Sequence, residues 1–162
     1  MNAIEKYFTA EKYESVLFVL VGLAAIITAS FFLLKQKEAF YQGMAYPLMA
    51  VALIQIVVGS TVYLRSPKDI TRVTQMVQHE TSKIQSEEIP RMQVVMKNFE
   101  IYRWVEIVLL LLGFAMYLYF EQQSLQKGIG LGLLIQSCFM LILDYFAESR
   151  GKIYLEYLNT LL

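Results

Sequence analysis

The amino-acid sequence predicts an all-α, polytopic membrane fold, with four transmembrane helices and a cytoplasmic helical hairpin at residues 66–100 between the second and third. Three observations carry that expectation. Of 162 residues, 57% are hydrophobic and 17% charged, whereas a soluble domain has about 45–50% apolar and about 25% charged residues. The apolar residues gather into four stretches, 15–34, 39–64, 104–120 and 128–143, each near the roughly 17–25 residues an α-helix needs to cross hydrocarbon. Runs such as "VLFVLVGLAAII" and "EIVLLLLGF" are apolar on every face. That removes the alternation of a β-barrel, and within lipid only helices and closed barrels satisfy their own backbone.

The first stretch is read as a retained span rather than a signal peptide. It exceeds an h-region in length, and its amino-terminal flank mixes Glu5, Lys6, Glu11, Lys12 and Glu14. Gly22, Ala25 and Ala29 form a small-residue stripe in it; Ala45, Ala52 and Gly59 recur every seven residues in the second span, and Gly128 and Gly132 form a GxxxG in the fourth. Small residues let helix backbones approach where no hydrophobic effect drives helices together, so a compact bundle is expected.

Between the second and third spans, "SPKD" reads as a helix start, with Ser66 as N-cap, Pro67 in the first helical position and Asp69 complementing the dipole. Ile70, Val73, Val77 and Ile84 then recur at helical spacing, while Glu80 and Glu87 interrupt the seam. Pro90 is expected to end or kink that arm. From Arg91 the second arm has no breaker and runs into the third span, presenting Met92, Val95, Met96 and Phe99 on one apolar face. The hairpin would reach about 20–30 Å from the bilayer. Its apolar face needs cover, from the other arm or from another subunit. The whole chain, 1–162, thus reads as one four-helix domain with residues 66–100 as its extension.

Orientation follows from the basic residues. With four spans, Lys6, Lys12, Arg65, Lys68, Arg72, Lys83, Arg91, Lys97, Arg103, Arg150 and Lys152 share one side, leaving Lys35, Lys37 and Lys127 on the other. The positive-inside rule therefore places both termini and the hairpin in the cytoplasm. Trp104, Tyr102, Tyr117, Tyr119, Tyr145 and Tyr154 fall near the two interfaces and read as aromatic belts.

Several function classes are disfavoured. The formal net charge is zero, so no nucleic-acid partner is expected. A single histidine, His79, and a single cysteine, Cys138, exclude most zinc, haem and di-iron arrangements. Cys138 is expected to fill a small buried apolar role. No P-loop, GxSxG, GxGxxG or HExxH is present.

The residues that demand explanation are the charges where hydrocarbon should give way to water. Glu106 and Asp144 lie at similar depth, about 21–24 Å below the outer ends of their helices. Glu14, Arg65, Arg103, Glu148 and Arg150 fall near the same level. Charge at that depth should face the bundle and pair, so the sequence predicts a charged layer at the cytoplasmic mouth, with Glu14, Glu106, Asp144 and Glu148 set against Arg65, Arg103 and Arg150. The excess carboxylate suits a proton or a hard cation, with Mg²⁺ or Ca²⁺ as the metals to consider and no other cofactor expected. Deeper in the spans, Gln55 and Gln136 are expected to hydrogen-bond to each other.

These features favour a homo-oligomeric channel- or transporter-like assembly in contact with membrane lipids, handling ions or small solutes through the charged mouth. An interfacial enzyme acting on a lipid phosphate is the alternative. A third reading is an accessory subunit that docks a cytoplasmic protein through residues 66–100.

Overall fold

A computed structural model describes residues 3–161. Four helices account for nearly all of them: α1 (Ala3–Lys35), α2 (Ala39–His79), α3 (Thr81–Tyr119) and α4 (Leu125–Asn159), all long and apolar enough to cross a membrane. At 33, 41, 39 and 35 residues they are about 50–60 Å long at 1.5 Å per residue, nearly twice the roughly 30 Å of a hydrocarbon core. The excess is one-sided. In every helix the apolar stretch lies towards the end carrying the α1–α2 and α3–α4 connections (the far end), and the more polar remainder lies at the end carrying both termini and the α2–α3 turn (the near end).

The far-end connections are short. Ser124 caps α4, its Oγ accepting from the Lys127 N–H at 3.2 Å, and Gln123 turns the chain with φ at 67°. Small residues then set the crossings. A Cβ on Gly128 would collide with the Phe40 carbonyl of α2, and one on Gly130 would stand 2.8 Å from the Gly113 carbonyl of α3. Backbones therefore meet where side chains are absent. α2 and α4 run parallel as a central pair, with α1 packed antiparallel against α2 and α3 antiparallel against α4. Beyond the turn that joins them, α2 and α3 diverge, and α4 lies between them.

At the near end, the helix extensions form a second packed unit. Ile4, Tyr7 and Phe8 of α1, Val73 and Met76 of α2, Ile84, Ile89 and Met92 of α3, and Tyr154 and Leu158 of α4 make one buried core. Tyr7 stacks on Tyr154 with ring centroids 4.1 Å apart. Most of the apolar face of residues 66–100, from Ile70 and Val73 to Met92 and Val95, is thus covered within the chain, by the other arm and by both terminal helical extensions.

Local expectations are corrected at several points. Ser66 does not cap a new helix; α2 runs unbroken through Pro67, and the buried Ser66 hydroxyl donates back to the Val62 carbonyl at 2.7 Å. Nothing in residues 61–65 stops the incoming helix, so the serine–proline pair is read through. The chain instead reverses at Glu80 (φ −144°, ψ 57°). Nor does Pro90 break α3. A π-helical turn, Ile84–Glu88, precedes it, with the Ile89 N–H bonded to the Ile84 carbonyl, and this widened turn absorbs the donor that proline lacks. Tyr154 belongs to the near-end core rather than to an aromatic belt. Cys138 is exposed, because it lies two residues, about 200° of helix rotation, from the buried Gln136.

Candidate functional site

The charged residues singled out in the sequence lie where the apolar stretches meet the near-end core. Each helix pairing brings specific members together. Between α1 and α2, Arg65 Nη2 stands 2.9 Å from Glu11 Oε1, with Asp69 3.7 Å from Arg65 Nε. Between α1 and α4, Arg150 pairs with Glu14. Between the antiparallel α3 and α4, Arg103 Nη1 donates to Glu148 at 2.7 Å, and Lys152 reaches the other Glu148 oxygen at 2.7 Å.

One helical turn along the same α3–α4 seam, the next rung joins two acids. Glu106 is 5% exposed, and neither of its oxygens receives a hydrogen bond from a donor group. It faces Asp144 across the α3–α4 seam, and the two carboxyls act on each other electrostatically. No lysine, arginine or histidine lies in ion-pair contact with either, among the described residues. The sequence set four acids against three arginines, with one carboxylate in excess; the register of α3 on α4 gives Arg103 to Glu148 and leaves two acids, Glu106 and Asp144, without an arginine.

A cavity of about 110 Å³ opens beside this rung. All four helices line it, with Tyr7, Glu11 and Glu14 from α1, Val58 and Val62 from α2, Phe99 from α3, and Asp144 and Arg150 from α4. That volume admits several waters. Among the described residues, no three His, Cys, Asp or Glu side chains gather as a metal cradle.

Gln55 and Gln136 tie α2 to α4 but not to each other. Gln136 Nε2 donates to the Leu48 carbonyl at 3.3 Å, and Gln55 Nε2 points at Met140 Sδ at 3.2 Å. Leu48 and Gln55 are seven residues, about 10 Å, apart along α2, so the two amides sit on different levels.

A second polar cluster went unread in the sequence. Glu88, fully buried in the near-end core, accepts from Arg91 at 2.6 and 2.9 Å, from Arg72 at 2.8 Å and from the Tyr154 hydroxyl at 3.2 Å. It lies well outside the apolar stretches. Burial alone would raise its carboxyl, but the hydrogen bonds and charges of Arg91 and Arg72 outweigh burial and hold it below the usual range. Burial, then the Glu88 charge, raises the Tyr154 hydroxyl, which therefore stays a donor. Glu11 and Lys152 were likewise not anticipated as partners. The three-residue spacing of Glu88 and Arg91 was the available signal for the cluster.

Compared with protein-family models, with characterised proteins and with solved structures, the chain matches none.

Proposed function

We propose that this chain is an integral membrane protein that handles protons or small cations at the Glu106–Asp144 pair, in the manner of a channel or transporter. In this reading the four apolar stretches cross the bilayer, with the near end in the cytoplasm as the distribution of lysine and arginine requires. The supporting observation is the unlike treatment of the acids. Glu11, Glu14 and Glu148 each meet a basic side chain, whereas Glu106 and Asp144 meet each other beside a cavity. Two ionised carboxylates in a low-dielectric setting repel, so the pair has capacity for one added positive charge. With no third acid in a metal cradle, a proton or monovalent cation suits it better than Mg²⁺ or Ca²⁺. Farther along the span, Ala45, Leu48 and Ala52 are buried between helices, so passage across the whole bilayer draws on more than one copy, and self-association is part of the reading.

Two observations weigh against the other readings. Arginine and lysine pairs hold the remaining acids of the layer, which leaves few groups for chemistry on a lipid phosphate. Most of the apolar face of residues 66–100, which would have recruited a partner, is consumed within the chain.

The test is flux of protons and of Na⁺ into liposomes holding the purified protein. Wild-type protein is expected to carry one of them, and Glu106→Gln with Asp144→Asn to reduce that flux to the level of protein-free liposomes. The exposed Glu87→Gln should have no effect. Absence of flux from wild type, or flux that survives the double substitution, overturns the proposal.

A further inference from the structure

A groove of about 310 Å³ runs along the flank of the bundle between α2 and α3. It exists because these helices diverge beyond their turn while α4 lies behind them. Val58, Val62 and Phe99 line both this groove and the carboxylate-bearing cavity. These three apolar side chains border both spaces, so the groove and the cavity adjoin across them. Towards the near end the groove is rimmed by Asn98 and Arg65, and the Arg65 charge is answered by Glu11 and Asp69.

We propose that the Glu106–Asp144 site takes an amphipathic cation, a single-chain ammonium, which enters sideways from the bilayer between α2 and α3, seats its head in the cavity at Asp144, the member of the pair that lines it, and leaves its tail in the groove. This rests on the cation-binding role argued above and names the ligand class.

Charge selects the head. Around the cavity, Glu11 and Glu14 are paired with Arg65 and Arg150, so the uncompensated charge belongs to Glu106 and Asp144. Size divides the ligand: the cavity suits a small head, whereas the groove is at the lower end of pockets that hold drug-sized ligands, about 300 Å³. Location supplies it, because an amphipath concentrates in the lipid that faces the groove. Occupation exchanges one cation for one proton of the pair, which leaves to bulk water.

The exchange is set by groups on every helix around the pair: Glu148 and Arg150 on α4, Arg103 on α3, Tyr7, Glu11 and Glu14 on α1, and Arg65 on α2. All of the acids except the pair itself are ion-paired. Affinity should therefore fall about tenfold for each pH unit of acidification wherever the pair is protonated before binding.

The experiment is equilibrium dialysis of tritiated decyltrimethylammonium against the full chain in nanodiscs, with empty nanodiscs subtracted. Saturable binding is expected, with release of one proton per cation. Decyl sulfate, with the same tail and an anionic head, should not compete, and Glu106→Gln with Asp144→Asn should abolish binding. Val58→Trp, filling the groove that holds the tail, should weaken binding about tenfold, equivalent to about 1.4 kcal/mol; Thr61→Trp, on the exposed groove rim, should do the same if Val58→Trp impairs folding. Competition by decyl sulfate, or affinity unaffected by both tryptophans, overturns the proposal. Liposomes that carry protons or Na⁺ through the pair while decyltrimethylammonium fails to bind overturn the ligand class and leave the cation-binding role standing. Failure of both measurements removes both.

Discussion

At the scale of single residues, the two acids that matter most are treated in opposite ways. Glu88 is wholly buried yet holds its charge, because three donors reach it from α2, α3 and α4. Removing it leaves Arg91 without its acid and Arg72 with Asp69 alone, and because both arginines reach solvent the cost is below the fully buried case, about 2–3 kcal/mol. Glu88→Ala is therefore expected to destabilise the protein by about 2–3 kcal/mol in urea or thermal unfolding, whereas Tyr154→Phe, which deletes one hydrogen bond, costs about 1 kcal/mol. The pH dependence has a definite sign. A carboxyl whose folded value lies below its unfolded one contributes stability above the unfolded value, about 4.3 for glutamate, and that contribution is lost as pH falls through the folded value. Melting of wild type in mild detergent should thus weaken on acidification from pH 5 to pH 3 more than melting of Glu88→Gln. Equal slopes would refute the clamp. The sequence disclosed the shared level of Glu106 and Asp144 along their helices, since helical rise alone gives it. It did not disclose who pairs with whom, because that depends on the register of α3 on α4, and two carboxylates facing each other defy simple charge matching.

At the scale of elements, signals written by local chemistry were legible in proportion to how little competed with them. The four apolar runs all lie within the four long helices, and the small residues at 22, 52, 59 and 128 stand at helix contacts. The signals around proline did not. "SP" starts a helix when the preceding residues are loop, but here the turn before it is helical already, and tertiary packing carries α2 through. The Pro67 ring lacks the N–H that would bond the Tyr63 carbonyl, an interior defect costing up to about 3 kcal/mol. Pro67 is exposed, so its side chain contributes little packing to offset this. Pro67→Ala is expected to raise the thermal midpoint, with a gain of about 1–3 kcal/mol, measured by circular dichroism melting. A lower midpoint would mean that α2 requires the bend that proline imposes to bring Val73 and Met76 into the near-end core. Pro90 differs, because the π-helical turn before it has already given up the regular bonding pattern, and Pro90→Ala offers no comparable gain.

At the scale of the whole molecule, each helix is about 50–60 Å long, while the hydrocarbon core of a bilayer is about 30 Å thick. The surplus sits entirely at one end, where it forms a core of its own rather than a hairpin standing free in water. The four apolar stretches were readable from the sequence because they are sums over residues, whereas the full lengths of α2 and α3, which run on through Pro67 and Pro90, were not. The shared near-end core was not, because it depends on Ile4 and Phe8 meeting Leu158 across the full length of the chain. This asymmetry has a direct experimental consequence. On a Cys138→Ser background, a cysteine at Lys83 lies at the tip of the near end and one at Lys37 at the far-end connection, both exposed. If the apolar stretches cross a bilayer, a membrane-impermeant maleimide must label these two cysteines from opposite faces, with Lys37→Cys reactive from outside intact cells and Lys83→Cys reactive only after permeabilisation. Labelling of both from one face would mean that the apolar flanks are buried by association in solution or lie along a membrane surface. In either case the Glu106–Asp144 rung would no longer sit between two compartments, and a role in moving charge from one to the other would have no physical basis.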